Sequence, residues 1–142
     1  MCFKQFLLSA VLATLLSSIL LSSTVFAAVG QITDQQLKQM MQDGVSLIDI
    51  RRAEEWKQTG VVKGSHLLTF FDKKGNYNID KWLSDFSKIV KKGEPFILIC
   101  RTGNRTGMVS KFLDYKLGYK NVNHLSRGIK SWIKASNKVV KP

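Results

Sequence analysis

The chain has 142 residues, enough for one domain built on one core. Its 22 basic and 10 acidic side chains give a formal charge of +12, which suits small anions, acidic partners or anionic membrane surfaces. No motif interleaves aromatic with basic residues, which argues against nucleic acid as a partner class.

At the N-terminus, Lys4 precedes an apolar, serine-dotted run from Phe6 to Leu21, and "STVFAAVG" follows with Val25 and Ala27 at the −3 and −1 positions of a small-residue cleavage site. The pattern predicts an export signal over 1–27, removed to leave a single domain over 28–142; a retained N-terminal anchor is the alternative. A membrane span takes about 20 predominantly apolar residues, and this run is short and polar for one. Loss of Lys4 lowers the charge to +11, since residues 1–27 contain no acidic side chain. Cys2 leaves with the segment, and Cys100 is then the sole cysteine. A leftover cysteine in an exported chain is a reactive thiol, an intermolecular partner or a buried, inert hydrophobe.

"ITDQQLKQMMQDG" opens with Thr33 as an N-cap and Gln36 three residues on, a capping box; Leu37, Met40 and Met41 make one apolar face and Gly44 stops the helix. "VSLIDIR" reads as a strand, "RAEEWKQ" as a short helix closed by Gly60, and "GSHLLTF" as another strand leading into a turn at "DKKGNYN". Ile79, Trp82, Phe86 and Ile89 recur at helical spacing with Leu83 and Val90 alongside, predicting a helix that runs to Gly93. "PFILIC" is an unbroken apolar strand of the kind buried on both faces of a parallel sheet. Met108, Val109, Phe112, Leu113 and Leu117 form the core face of the next helix; "KNVNHL" is a last strand and "GIKSWIKAS" a last helix. Alternating strands and helices predict an α/β fold, a mostly parallel sheet of about five short strands with helices on both faces. Trp56, Trp82 and Trp132 are expected in the core, and "KASNKVVKP" as a basic, frayed tail.

In such sheets ligands bind beyond the carboxyl ends of the strands, which is where Cys100 stands on the most apolar, hence central, strand. A helix starting near Arg105 or Thr106 offers free N–H groups and the positive end of its dipole to the loop. Gly103 and Gly107 let the backbone curl into an anion-binding nest, and Arg101 and Arg105 add charge. Such surroundings favour the thiolate over the thiol, whose free pKa is about 8.5. Hydroxyls of Thr102 and Thr106 are placed to donate to sulfur or anion, or equally to cap the turn. From Cys100 to Arg105 is a C-x4-R loop of six residues, one fewer than the cradle of cysteine-dependent phosphatases, and so better suited to a thiolate carrying one extra sulfur.

"CRTGNRT" resembles the active-site loop of rhodanese-domain sulfurtransferases, and the resemblance extends to "LIDIRRAEEWKQTGVVKGS" and "GYKNVNHLSRGIKSW", nearly the whole chain after residue 27. It implies a double displacement: the Cys100 thiolate takes a sulfane sulfur from thiosulfate or a related donor and passes it to a thiol, or to cyanide in an assay. It implies that Arg101, Thr102, Gly103, Asn104 and Arg105 bind the anionic sulfur, with Asp49, Arg51 and Thr106 supporting the loop, and that neither metal nor organic cofactor takes part. An ordinary surface ion pair is the plainer reading of Asp49 and Arg51. Two positions depart from the family pattern: Val61 stands where a His is usual, and Arg127 where the first of two glycines is usual.

Rival readings are a persulfide carrier that docks to a dedicated acidic protein partner, and a phosphatase or arsenate reductase on the same fold. His66 and His124 are far apart in sequence and, with Cys100 committed to its loop, do not make a convincing zinc set; each reads as a satisfied polar residue. The expected setting is the periplasm and the expected state a monomer.

Overall fold

The computed structural model describes residues 29–142, so the predicted export segment over 1–27 lies outside the described residues. Five strands alternate with five helices: β1 (Gly30–Ile32), α1 (Asp34–Gln42), β2 (Ser46–Asp49), α2 (Ala53–Thr59), β3 (His66–Leu67), α3 (Ile79–Phe86), β4 (Phe96–Ile99), α4 (Asn104–Leu117), β5 (Val122–Leu125) and α5 (Gly128–Lys134). Every strand pairs in parallel, in the order β1-β5-β4-β2-β3. Among the described residues no helix is long and apolar enough to cross a membrane.

The apolar run of β4 lies at the centre of this sheet, covered on both faces. Because side chains alternate along a strand, Phe96, Leu98 and Cys100 point into one core with Trp82 and Phe86 of α3 and Val109 and Leu113 of α4. Ile97 and Ile99 point into the other, with Leu37 of α1 and Ile129 and Trp132 of α5. Cys100 therefore shares a face with α4, the helix that follows it.

Sequence patterning misplaces several boundaries, each for a physical reason. β1 goes unpredicted: it has three residues, begins with glycine, and is a strand only because β5 pairs with it. β3 shrinks to two residues, and both short strands are sheet edges, where brevity limits unwanted pairing. α3 ends at Phe86; Ile89 and Val90 continue the apolar spacing through a turn whose amides bond the Phe86 carbonyl. Met108, expected in the core, is 59% exposed, because the inward stripe of α4 runs through Thr106, Val109, Ser110 and Leu113. The small polar side chains of Thr106 and Ser110 occupy that stripe, and Met108 is rotated off it.

Trp82 and Trp132 are in the core as expected, but Trp56 is only half-buried. Nor is the C-terminal tail frayed. Val61 and Val140 form an antiparallel bridge with paired bonds of 2.9 and 2.8 Å, and the Trp132 indole N–H donates to the Lys138 carbonyl at 2.9 Å.

Candidate active site

Cys100 leaves the end of the central strand and is 1% exposed. Three residues later Gly103 caps α4 with φ 95°, a left-handed conformation that favours glycine. The cap turns its own N–H back onto the cysteine, donating to Sγ at 3.2 Å. Helix α4 thus starts at Asn104, one residue earlier than expected, and the free amides of its first turn follow directly on the loop. Gly107 is not part of the curl; it lies inside α4.

The outer side of the loop is held by α5. The amides of Ile129 and Lys130 donate to the carbonyls of Cys100 and Arg101 at 2.9 and 3.1 Å. The contact is too close for side chains: a Cβ on Gly103 would overlap the Ser126 carbonyl, and one on Gly128 the Arg101 carbonyl and the Thr102 amide. With two loop carbonyls turned towards α5, the Gly103 amide faces the sulfur. Thr106 is fully buried, its hydroxyl 3.5 Å from Sγ and 3.0 Å from the Gly103 carbonyl. Arg101, Thr102 and Asn104 are exposed.

Arg105 has a partner that the sequence did not suggest. Its guanidinium meets Glu55 of α2 in a two-pronged pair, at 2.9 and 2.6 Å. Burial alone would raise the Glu55 pKa; the hydrogen bonds from Arg105 and from the Arg52 amide, with the charges of both arginines, outweigh it and lower the carboxyl from 4.5 to about 2. The Arg105 charge is therefore largely answered within the protein.

Asp49 and Arg51 are not a surface pair, at 0% and 1% exposed. Arg51 Nε and Nη2 reach Asp49 at 2.7 to 3.1 Å, while Nη1 donates to Thr59 Oγ1 at 2.7 Å and Nη2 to the Gly60 carbonyl at 2.9 Å. Arg51 thus ties the end of β2 to the far end of α2, the helix that presents Glu55 to Arg105. One route from these two residues to the Cys100 loop runs through α2 and Glu55; another is the pairing of Asp49 with Ile99, the residue before Cys100.

Sequence reading missed Glu55, and it read His124 as a satisfied polar residue, which its hydrogen bond to Thr106 bears out. The local signal for Glu55 is its bond from the Arg52 amide at 3.1 Å, at the start of α2; its partner 50 residues away has no local signature. His66 is exposed, whereas His124 is buried beneath α4 with Nδ1 3.1 Å from the Thr106 hydroxyl.

Residues 33–135 match the family model described as a rhodanese-like domain. The chain belongs to the rhodanese-like domain family. An uncharacterized protein of Rickettsia prowazekii (strain Madrid E), RP600, is 29% identical over 92 residues, 63% of this chain and 72% of that one. A rhodanese-related protein from Thermoplasma volcanium is 25% identical, with a TM-score of 0.60 over 80% of this chain and 99% of that one. The polysulfide-sulfur transferase homodimer of Wolinella succinogenes is 19% identical with a TM-score of 0.61, over 79% and 78%, and shares the fold. Family and site together support a sulfur-transfer or related cysteine-based role.

Within this rhodanese-like domain both departures have a structural setting. Val61 is buried and occupied by its bridge to Val140. Of the usual glycine pair, only the second is sterically required: Gly128 has φ 60° and no room for a Cβ, while Arg127 has φ −110° and borders a cavity with Thr33, Asp34 and Ser131.

Proposed function

We propose that the chain is a single-domain sulfurtransferase carrying a sulfane sulfur on Cys100 as a persulfide. The Cys100 thiolate attacks the outer sulfur of thiosulfate or a related donor. The donor S–S bond breaks, its electron pair leaves with sulfite, and a Cys100 persulfide anion remains. A second nucleophile, cyanide in an assay or a thiol in the cell, attacks the outer sulfur and releases Cys100 as the thiolate. Both half-reactions are displacements at sulfur, which call for no outside electron carrier.

The observation that carries this reading is the six-residue loop at the amino end of α4, with the Gly103 amide 3.2 Å from Sγ. Such a donor stabilises negative charge on Sγ, which carries it before the first displacement and again after the second. The reading places the working protein in the periplasm as a monomer, after loss of residues 1–27.

A second reading has one specific support. With the Arg105 guanidinium engaged by Glu55, the loop offers less charge to a doubly negative donor. That favours a persulfide carrier loaded by, or delivering to, one dedicated acidic protein.

The test is thiocyanate formation from thiosulfate and cyanide, with Cys100→Ser alongside. Cys100-dependent turnover supports the first reading. Absence of turnover, with a mass gain of one sulfur after thiosulfate or polysulfide treatment, moves the weight to the carrier. No turnover and no mass gain overturn both.

A further inference from the structure

Thr106 connects Cys100 to a second ionisable group. Its hydroxyl oxygen is 3.5 Å from Sγ on one side and 3.1 Å from His124 Nδ1 on the other. A hydroxyl has one proton to donate, and three acceptors compete for it here: Sγ, the Gly103 carbonyl at 3.0 Å, and Nδ1 when that nitrogen is unprotonated. The state of the imidazole decides between them. With a proton on Nδ1 the ring donates to Thr106, and the hydroxyl proton is released towards the loop. Without it, the ring draws that proton away from the sulfur.

His124 is 6% exposed, yet its outer edge is not sealed. Nε2 has no hydrogen-bond partner among the described residues, and the ring borders a cavity of about 460 Å³ with Gln31, Asn104, Gly107, Lys111 and Tyr115. The edge carrying Cε1 and Nε2 faces Gly107, where a Cβ would stand 3.7 Å from the ring. Burial, with the Lys111 charge added, holds the imidazole pKa below its ordinary value. The charged or titratable groups around the ring are Lys111 and Tyr115 from α4 and Cys100 beyond Thr106; the neighbouring β1 residue, Gln31, is uncharged.

We propose that His124 is a positioning residue for the Cys100 thiolate, acting through the Thr106 hydroxyl and exchanging its own proton with solvent through the adjoining cavity. The proposal rests on Cys100 being the working nucleophile. It does not rest on the identity of donor or acceptor, and a chain that moves no sulfur can still pass the test.

The test follows thiolate absorbance near 240 nm between pH 5 and 9, against a Cys100→Ser blank, a readout that needs no reagent to reach the buried sulfur. His124→Gln and Thr106→Val are each expected to lower the thiolate-to-thiol ratio by about three- to tenfold at the acid end of that range, where the ring carries its second proton, the scale of one net hydrogen bond. Thr106→Ser keeps the hydroxyl and is expected to keep the wild-type curve. By reciprocity, the His124 ring protons in NMR titrate at lower pH in Cys100→Ser than in wild type, because the thiolate that favours imidazolium is gone. A His124→Gln curve superimposable on wild type overturns the proposal. So does a Thr106→Ser curve displaced as far as that of Thr106→Val, which would mark a packing effect.

Discussion

Glu55 and Arg105 are 50 residues apart in the chain and meet in a two-pronged ion pair at 2.6 and 2.9 Å. The last residue of the C-x4-R loop is thereby tied to a helix from the other side of the sheet's centre, and its charge is shared before any donor arrives. Glu55→Gln is expected to return that charge to the loop. At low salt the KM for thiosulfate should fall by about three- to tenfold, and the gain should shrink as salt screens the attraction. An unchanged KM in steady-state assays would show that Arg105 does not face the donor.

The same pair has a pH signature. The Glu55 carboxyl is lowered from 4.5 to about 2 in the folded protein. The native state therefore holds the ionised form more tightly than the unfolded chain does. The pair's contribution is full above pH 4.5 and is lost as pH falls towards 2. The difference in melting temperature between wild type and Glu55→Gln should be constant above that window and close within it, as read by calorimetry at matched ionic strength.

Arg51 should matter through stability. Arg51→Met leaves the Asp49 carboxylate buried and unpaired, a change that costs about 3–5 kcal/mol. The double variant Asp49→Leu with Arg51→Met should recover much of that loss in urea denaturation. If it does not, the anchoring of α2 through Thr59 and Gly60 outweighs the ion pair itself.

Gly128→Ala should damage the loop from behind. A methyl group there overlaps the Arg101 carbonyl, at a backbone φ of 60°. A loss of roughly 1–3 kcal/mol is expected from the strain, with a parallel loss of thiocyanate formation. Arg127→Gly, one residue earlier, should change stability by no more than about 0.5 kcal/mol.

The loop length separates chemistries. Hydrolysis of p-nitrophenyl phosphate is expected to be no faster with wild type than with Cys100→Ser, since six residues make a tight cradle for a phosphate. Cys100-dependent hydrolysis would revive the phosphatase reading.

Much of this was legible locally. The β4 run is apolar on both faces because both faces are covered, so its continuous hydrophobicity located the sheet's centre and, at its end, Cys100. The capping box of Thr33 and Gln36 is a contact within four residues, and it formed as read. The helical spacing of Trp82 and Phe86 likewise points to one side of α3. Met108 fails the same test because apolar character alone cannot say which stripe of α4 turns inward when Thr106 and Ser110 are small enough to fill it.

What the chain determined by itself is therefore the set of short-range features: alternation of strands and helices, the glycine-bearing turn, and a cysteine placed before a helix start. Their physics acts within one or two turns of chain. What only the tertiary structure decided is which distant groups answer the charges and complete the hydrogen bonds. Glu55 neutralises Arg105, His124 reaches Cys100 through Thr106, and Val140 fills the place beside Val61. Even β1 is a strand by virtue of β5. Each of these depends on elements brought together by packing two cores against one sheet, and burial leaves a charged or hydrogen-bonding group only the partners that the fold places beside it.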